Sequence, residues 1–217
     1  MAPDVLYEDN HVIAVYKSAG VLTQGDKSKD PCLMDEVKKY LKEKYKKSGN
    51  VFLGLVHRLD RPVSGVVLFA KTSKGASRLS EQFRNHTVEK TYHALVVGKP
   101  DAKTLVNYIT KDKTKKRSDI HAEWGQRAEL EYKVVASYGA YSLVRILLKT
   151  GRFHQIRAQF SFAGFPIVGD MKYGAPFALP DKSIALCATS IAFTLPTRDE
   201  RKTVSIPIPN TWSVYKT

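Results

Sequence analysis

The residues best suited to chemistry stand together in His57-Arg58-Leu59-Asp60-Arg61-Pro62-Val63-Ser64-Gly65. An Asp lies between two Arg, at the junction of an apolar segment and a loop. Pro62 cannot donate to a strand ladder and ends pairing there, while Gly65 permits a tight turn. Nearby guanidinium groups favour the ionised form of Asp60, so the segment offers a carboxylate near neutral pH. A carboxylate so placed can act as nucleophile, base or electrostatic stabiliser. A structural Arg–Asp pair at a strand end fits the same residues, because perturbed ion pairs are common away from active sites.

The elements that must hold this cluster can be read from periodicity. Leu6–Tyr7 and Val12–Tyr16 flank Glu8-Asp9-Asn10-His11, which predicts an N-terminal β-hairpin. Met34, Val37 and Leu41 recur at helical spacing, and Lys38–Lys47 carries six Lys against one Glu. This predicts an amphipathic helix with a basic outer face, with Asp35 and Glu36 in its first turn and Gly49 as its stop. That face suits either plain solvation or contact with phosphates. Val51–Leu59 and Val66–Lys71 read as strands on either side of the Asp60 loop. A helix is predicted from Ser73, as N-cap, to about Arg84, with Leu79 and Phe83 on one face. Tyr92–Val97 reads as a strand ended by Gly98-Lys99-Pro100, and Lys111–Arg117 as a basic loop or hairpin tip. Ala128–Ser137 and Ser142–Leu148 flank a strong hairpin signal. Arg152–Ala163 follows as a short helix capped by Gly164, then Ile184–Leu195 and Thr203–Ile208 as late strands. The sum is an α+β fold with a mixed, mostly antiparallel sheet and flanking helices, expected as one domain over residues 1–217.

Composition narrows the class. Of 217 residues, 35 are Lys or Arg and 21 Asp or Glu, a formal net charge of +14. Such an excess points to a polyanionic partner, nucleic acid before an anionic membrane surface, although solubility alone also accounts for it. Two Cys cannot make a disulfide framework or a four-ligand zinc site. No apolar run approaches the roughly 18–20 residues of a membrane-spanning helix, and no signal peptide is expected at the N-terminus. A cytoplasmic location is the resulting expectation.

The cluster at Asp60 also belongs to a larger pattern. His57-Arg58-Leu59-Asp60, with Ser64-Gly65 and the strand after it, resembles the signature of the RluA family of RNA pseudouridine synthases. Lys90-Thr91-Tyr92-His93-Ala94-Leu95-Val96 is similar to the family's second motif, and Gly151-Arg152-Phe153-His154-Gln155-Ile156-Arg157 to its third. Gly164-Phe165-Pro166-Ile167-Val168-Gly169-Asp170 and Tyr173-Gly174 follow in the family's order. The resemblance runs from about Tyr7 to Pro207 and implies the catalytic-domain fold of those enzymes.

It further implies an isomerase that breaks the C1′–N1 bond of a uridine in RNA, turns the uracil and rejoins it through C5, with no metal or cofactor. Asp60 falls on the catalytic aspartate, acting either by addition to C1′ or by proton abstraction to a glycal. Tyr92 falls on the active-site tyrosine; as a base it needs activation by neighbouring cations, since a free phenol has a pKa near ~10. Without the family, Tyr92 reads as a packed strand aromatic. Arg157 falls on the arginine that pairs with the catalytic carboxylate. The substrate-binding set comprises Arg58, which can enter the RNA stack where the uridine leaves, together with Ile156, His57 and Arg61. His57 and His154 read equally as structural hydrogen-bonders.

Two departures stand out. Arg61-Pro62-Val63 stands where many relatives carry Lys-Asp-Thr. The chain also begins almost directly with the catalytic region, with no S4 RNA-binding domain expected, so RNA affinity falls to the basic helix and to Lys111–Arg117. The partner expected is ribosomal or transfer RNA, bound by a monomer. A non-catalytic RNA-binding protein on the same scaffold is the alternative. A two-carboxylate glycosidase ranks last, because no second acidic residue sits within the three motifs.

Overall fold

The computed structural model describes residues 2–215. In chain order its elements are β1 (Asp4–Glu8), β2 (Val12–Lys17), α1 (Leu33–Lys44), β3 (Gly54–Leu55), β4 (Ser64–Ala70), α2 (Ser73–Arg84) and β5 (Glu89–Val97). There follow β6 (Lys103–Asp112), β7 (Arg117–His121), β8 (Gln126–Tyr138), β9 (Tyr141–Leu148), α3 (Gln155–Phe162), β10 (Leu186–Thr194) and β11 (Arg201–Ser205). The α+β class with a mostly antiparallel sheet holds. The chain divides into two compact units, one running to Val88 and taking in Ser190–Ile206, the other comprising Glu89–Thr189 and the segment from Pro207. Among the described residues no helix is long and apolar enough to cross a membrane.

In the first unit β1 pairs antiparallel with β2, and β2 with β4 from Val12↔Ala70 to Lys17↔Gly65. Both β2 and β4 are apolar runs buried along almost their whole length, as strands covered on two sides must be. Val12, Ala14, Val66, Leu68 and Ala70 pack with Leu79 of α2 and with Ile191, Phe193 and Val204. Helix α2 begins one residue earlier than its sequence suggests: Thr72, not Ser73, is the N-cap, and its hydroxyl accepts the Gly75 N–H. Helix α1 buries Leu33, Val37 and Leu41. It stops at Lys44, short of Gly49, because Lys46 turns left-handed (φ 48°) and Lys47 N–H closes onto Lys42 O at 3.0 Å.

The expected strand Val51–Leu59 shrinks to Gly54–Leu55, which pairs with Ala70 and Phe69 of β4. Beyond Leu55 a side chain replaces the backbone as partner. His57 Nε2 accepts the Leu68 N–H at 2.9 Å, and the ring stacks on Phe83. The chain thus leaves the sheet two residues ahead of His57 and well short of Leu59.

In the second unit the strands run in the order β5-β9-β8-β6-β7, each antiparallel to its neighbour. The basic stretch Lys111–Arg117 closes the β6–β7 hairpin: Lys111, Asp112 and Arg117 are paired strand residues, and residues 113–116 form the tip. One face carries Tyr92, Ile146 and Tyr132 in register across β5, β9 and β8, and Phe160 of α3 packs on Tyr132 at 4.9 Å. Helix α3 starts at Gln155 rather than Arg152, because His154 adopts a left-handed conformation (φ 50°) that a helix cannot include.

Candidate functional site

Asp60 lies half-buried in the loop between β3 and β4. The residues on both sides of it are pinned to the segment after β2. Leu59 exchanges two hydrogen bonds with the buried Thr23 hydroxyl, which donates to Leu59 O at 2.9 Å and accepts its N–H at 3.2 Å. Arg61 O accepts the Gly20 N–H at 2.8 Å and a hydrogen bond from Lys17 Nζ at 3.2 Å. Lys17 is fully buried, and its ammonium also donates to Ser18 O and Val21 O. Burial pushes its pKa down to about 8, against the pull of nearby Asp60, so Lys17 is still a cation at neutral pH.

The flanking arginines, Arg58 and Arg61, both reach solvent. The Arg61 guanidinium donates to Gly20 O and pairs with Asp30 at 2.9 Å. Within this unit Lys17 is a buried cation close enough to Asp60 to feel its charge, and sequence reasoning missed it. The one signal for it is a Lys closing the apolar run Val12–Lys17.

In the second unit Tyr92 is buried in β5 opposite Ile146. Lys90, two residues before it and so on the same face of the strand, is also buried, and burial alone lowers its pKa. Arg157 lies on the first turn of α3, and Ile156 beside it is buried in the core. Two glutamines fix that helix to the sheet. Gln155 accepts the Thr150 hydroxyl at 2.7 Å and donates to Glu129 O at 3.1 Å, and Gln159 donates to Asn107 Oδ1 at 2.8 Å.

Arg157 makes a two-pronged ion pair with Asp170, Nε to Oδ2 at 2.7 Å and Nη2 to Oδ1 at 2.8 Å, both side chains buried. The guanidinium lies over the Tyr173 ring, 5.0 Å from its centroid. The Tyr173 hydroxyl accepts the Ser118 N–H at 2.7 Å and lies 2.9 Å from His154 Nδ1. Burial, then the charges of Arg157 and Lys172, push the His154 pKa down to about 3. The ring is neutral at pH 7 and shares a hydrogen bond with the phenol through Nδ1. Asp170 and Tyr173 are visible in sequence only as trailing motif residues; their contacts with Arg157 are not.

The cluster of His57, Arg58, Asp60 and Arg61 thus lies in the first unit, and Tyr92, Ile156 and Arg157 lie in the second. Among the described residues no group of three or more His, Cys, Asp or Glu side chains could hold a metal ion.

The chain is 37% identical over 196 residues to a ribosomal large subunit pseudouridine synthase C of Rickettsia felis, covering 88% of this chain and 62% of that protein. It spans about three fifths of the length of the Rickettsia relatives that it matches. It is 34% identical to a tRNA pseudouridine synthase C of Haemophilus ducreyi, covering 99% of this chain and 94% of that one. In fold it resembles the solved human RNA pseudouridylate synthase domain containing 4, with a TM-score of 0.79, 24% identity, and coverage of 97% of this chain and 90% of that chain. The family described as RNA pseudouridylate synthase matches residues 11–162, a span holding Asp60, Tyr92 and Arg157, and the chain belongs to that family.

Proposed function

We propose that the protein isomerises specific uridines of a structured RNA to pseudouridine. The observation that carries this reading is the family match over residues 11–162, which contains all three chemistry-bearing residues in one chain. Asp60 is the catalytic carboxylate, held by the braces on Leu59 and Arg61. Tyr92 is the ring that meets the uracil, and Arg157 is the catalytic arginine. Arg58 and Arg61, both exposed, contact the RNA with His57, and Ile156 packs beneath the base. Work on a base within folded RNA requires extruding the nucleotide, at a cost of a few kcal/mol, and an exposed guanidinium can fill the vacated place.

The RNA is ribosomal or transfer RNA, since the relatives named above are synthases for the ribosomal large subunit and for tRNA. The protein acts as a cytoplasmic monomer. That both of these relatives are named synthases favours the enzyme over a non-catalytic RNA-binding protein. The test is to incubate the purified protein with unmodified rRNA and tRNA and to map pseudouridine at single-nucleotide resolution. Wild type should convert discrete uridines. Asp60→Asn should lose conversion by at least about a thousandfold, on the order of the rate that a nucleophile or base supplies, while RNA affinity stays within a few fold. Turnover by Asp60→Asn near the wild-type rate would remove Asp60 from catalysis.

A further inference from the structure

We propose that Asp170 is a positioning residue, which fixes the rotamer and the plane of the Arg157 guanidinium without itself meeting the RNA. The inference rests on the proposed function and deepens it. Asp170 is 1% exposed, so its carboxylate is closed to a substrate. Both of its oxygens are engaged by Arg157, at 2.7 and 2.8 Å.

A guanidinium carries five N–H donors in a rigid plane. The Asp170 carboxylate takes Nε–H and one N–H of Nη2, which directs the opposite edge of the plane toward other acceptors. A bidentate pair sets the plane as well as the position, as a single hydrogen bond to an amide would not.

The surroundings hold Asp170 itself rigid. Its N–H donates to Ile167 O at 3.0 Å, and its carbonyl accepts from Tyr173 N and Ala175 N. Gly169, just before it, has φ +86°, and a Cβ there would come within 2.8 Å of Leu179 and 2.9 Å of Ser183 O. Only glycine lets the chain turn into that space. The same turn delivers Tyr173, whose ring covers the Arg157 guanidinium. One short loop therefore supplies both the counter-charge and the aromatic wall for one arginine.

The test uses the full chain and the RNA conversion assay. Asp170→Asn keeps the shape but removes the charge and turns one acceptor into a donor facing Arg157. Its kcat should fall on the order of tenfold to a hundredfold, the scale of an active group displaced by about 1 Å, with KM for RNA within about threefold. Asp170→Glu keeps the charge, displaces the guanidinium by one methylene, and should lie between Asn and wild type. In an Arg157→Lys background, Asp170→Asn should cost less than about threefold further, because the residue it acts through is already changed.

Wild-type kcat in folded Asp170→Asn, or full additivity with Arg157→Lys, would overturn the assignment. So would unfolding of both Asp170 variants, which would make the residue part of the fold alone. Absence of turnover by the wild type on any RNA would instead sink the function proposed above.

Discussion

The His57 imidazole accepts a backbone N–H where a strand would have offered a carbonyl. Leu68, its donor, is fully buried in β4, so the N–H has no water to turn to. Accepting through Nε2 places the ring proton on Nδ1. Replacement by leucine would fill part of the space against Phe83 but orphan that donor. His57→Leu should therefore lose about 1–3 kcal/mol of stability, read from the urea midpoint at about pH 7.5. If stability were unchanged and RNA affinity fell, contact with RNA would be the only role of His57. Lys17 illustrates the converse case. In sequence it is one Lys among many, and in the fold it is a buried ammonium whose three carbonyl acceptors brace the Asp60 loop. Apart from its place at the end of an apolar run, nothing local to Lys17 distinguishes the two uses, because the acceptors at Val21 and Arg61 are set by how the loops close.

Secondary elements are more legible than residues. Alternation and helical spacing locate β2, β4, α1, α2, β8 and β9, because each buries one defined face or both. The stretches that depart from expectation have one of two physical causes, a partner remote in sequence or a local turn without a signature. Residues Val51–Leu59 read as a strand from their apolar content, but the His57 ring and the Thr23 hydroxyl take over the hydrogen bonding there. Helix α3 starts later than its pattern suggests because nothing in Arg152-Phe153-His154 announces the left-handed turn at His154. The β6–β7 hairpin shows what remote partners accomplish. Its tip exposes Lys113, Lys115 and Lys116, while Asp112 accepts the Thr114 and Lys115 N–H groups and shapes the turn. The Lys111↔Ser118 pair just behind the tip is tied down: the Ser118 hydroxyl donates to Phe153 O, and Lys111 lies 4.4 Å from the Phe153 ring centroid. An anchored basic arm gives up little freedom on meeting phosphates. Replacing Lys111, Lys113, Lys115 and Lys116 together with Gln should flatten the plot of log affinity for RNA against log salt. Each phosphate that is no longer neutralised takes about 0.7–0.9 off the slope. An unchanged slope would take the arm out of the interface.

At the scale of the whole molecule the net charge of +14 says that acid should be harmful, because every carboxylate that takes a proton adds to the self-repulsion. Two groups, one in each unit, make that statement specific. In the first unit Glu8 accepts from Lys71 at 2.6 Å, from Lys44 at 2.7 Å and from the Tyr45 hydroxyl at 2.7 Å. Burial alone would raise its pKa, but these donors outweigh burial and lower it from 4.5 to about 2. The stability Glu8 contributes is complete above the unfolded value and is lost as pH falls from 4.5 through 2. In the second unit His154 is kept neutral by burial and by the charges of Arg157 and Lys172, which lowers its pKa from 6.5 to about 3. Between those values the unfolded chain binds a proton that the folded chain refuses, so stability falls as soon as pH drops below 6.5. The two groups therefore act in sequence, His154 first and Glu8 joining below 4.5. His154→Asn keeps a hydrogen-bonding group for Tyr173 and tolerates the left-handed backbone, yet cannot titrate. Across pH 6.5 to 4.5 its urea midpoint should fall less steeply than that of wild type, whatever its absolute stability. Glu8→Gln should follow the wild-type slope in that window and flatten only below it. If His154→Asn kept the full wild-type slope between pH 6.5 and 4.5, the acid sensitivity would belong to the accumulated charge and not to the ring beside Tyr173.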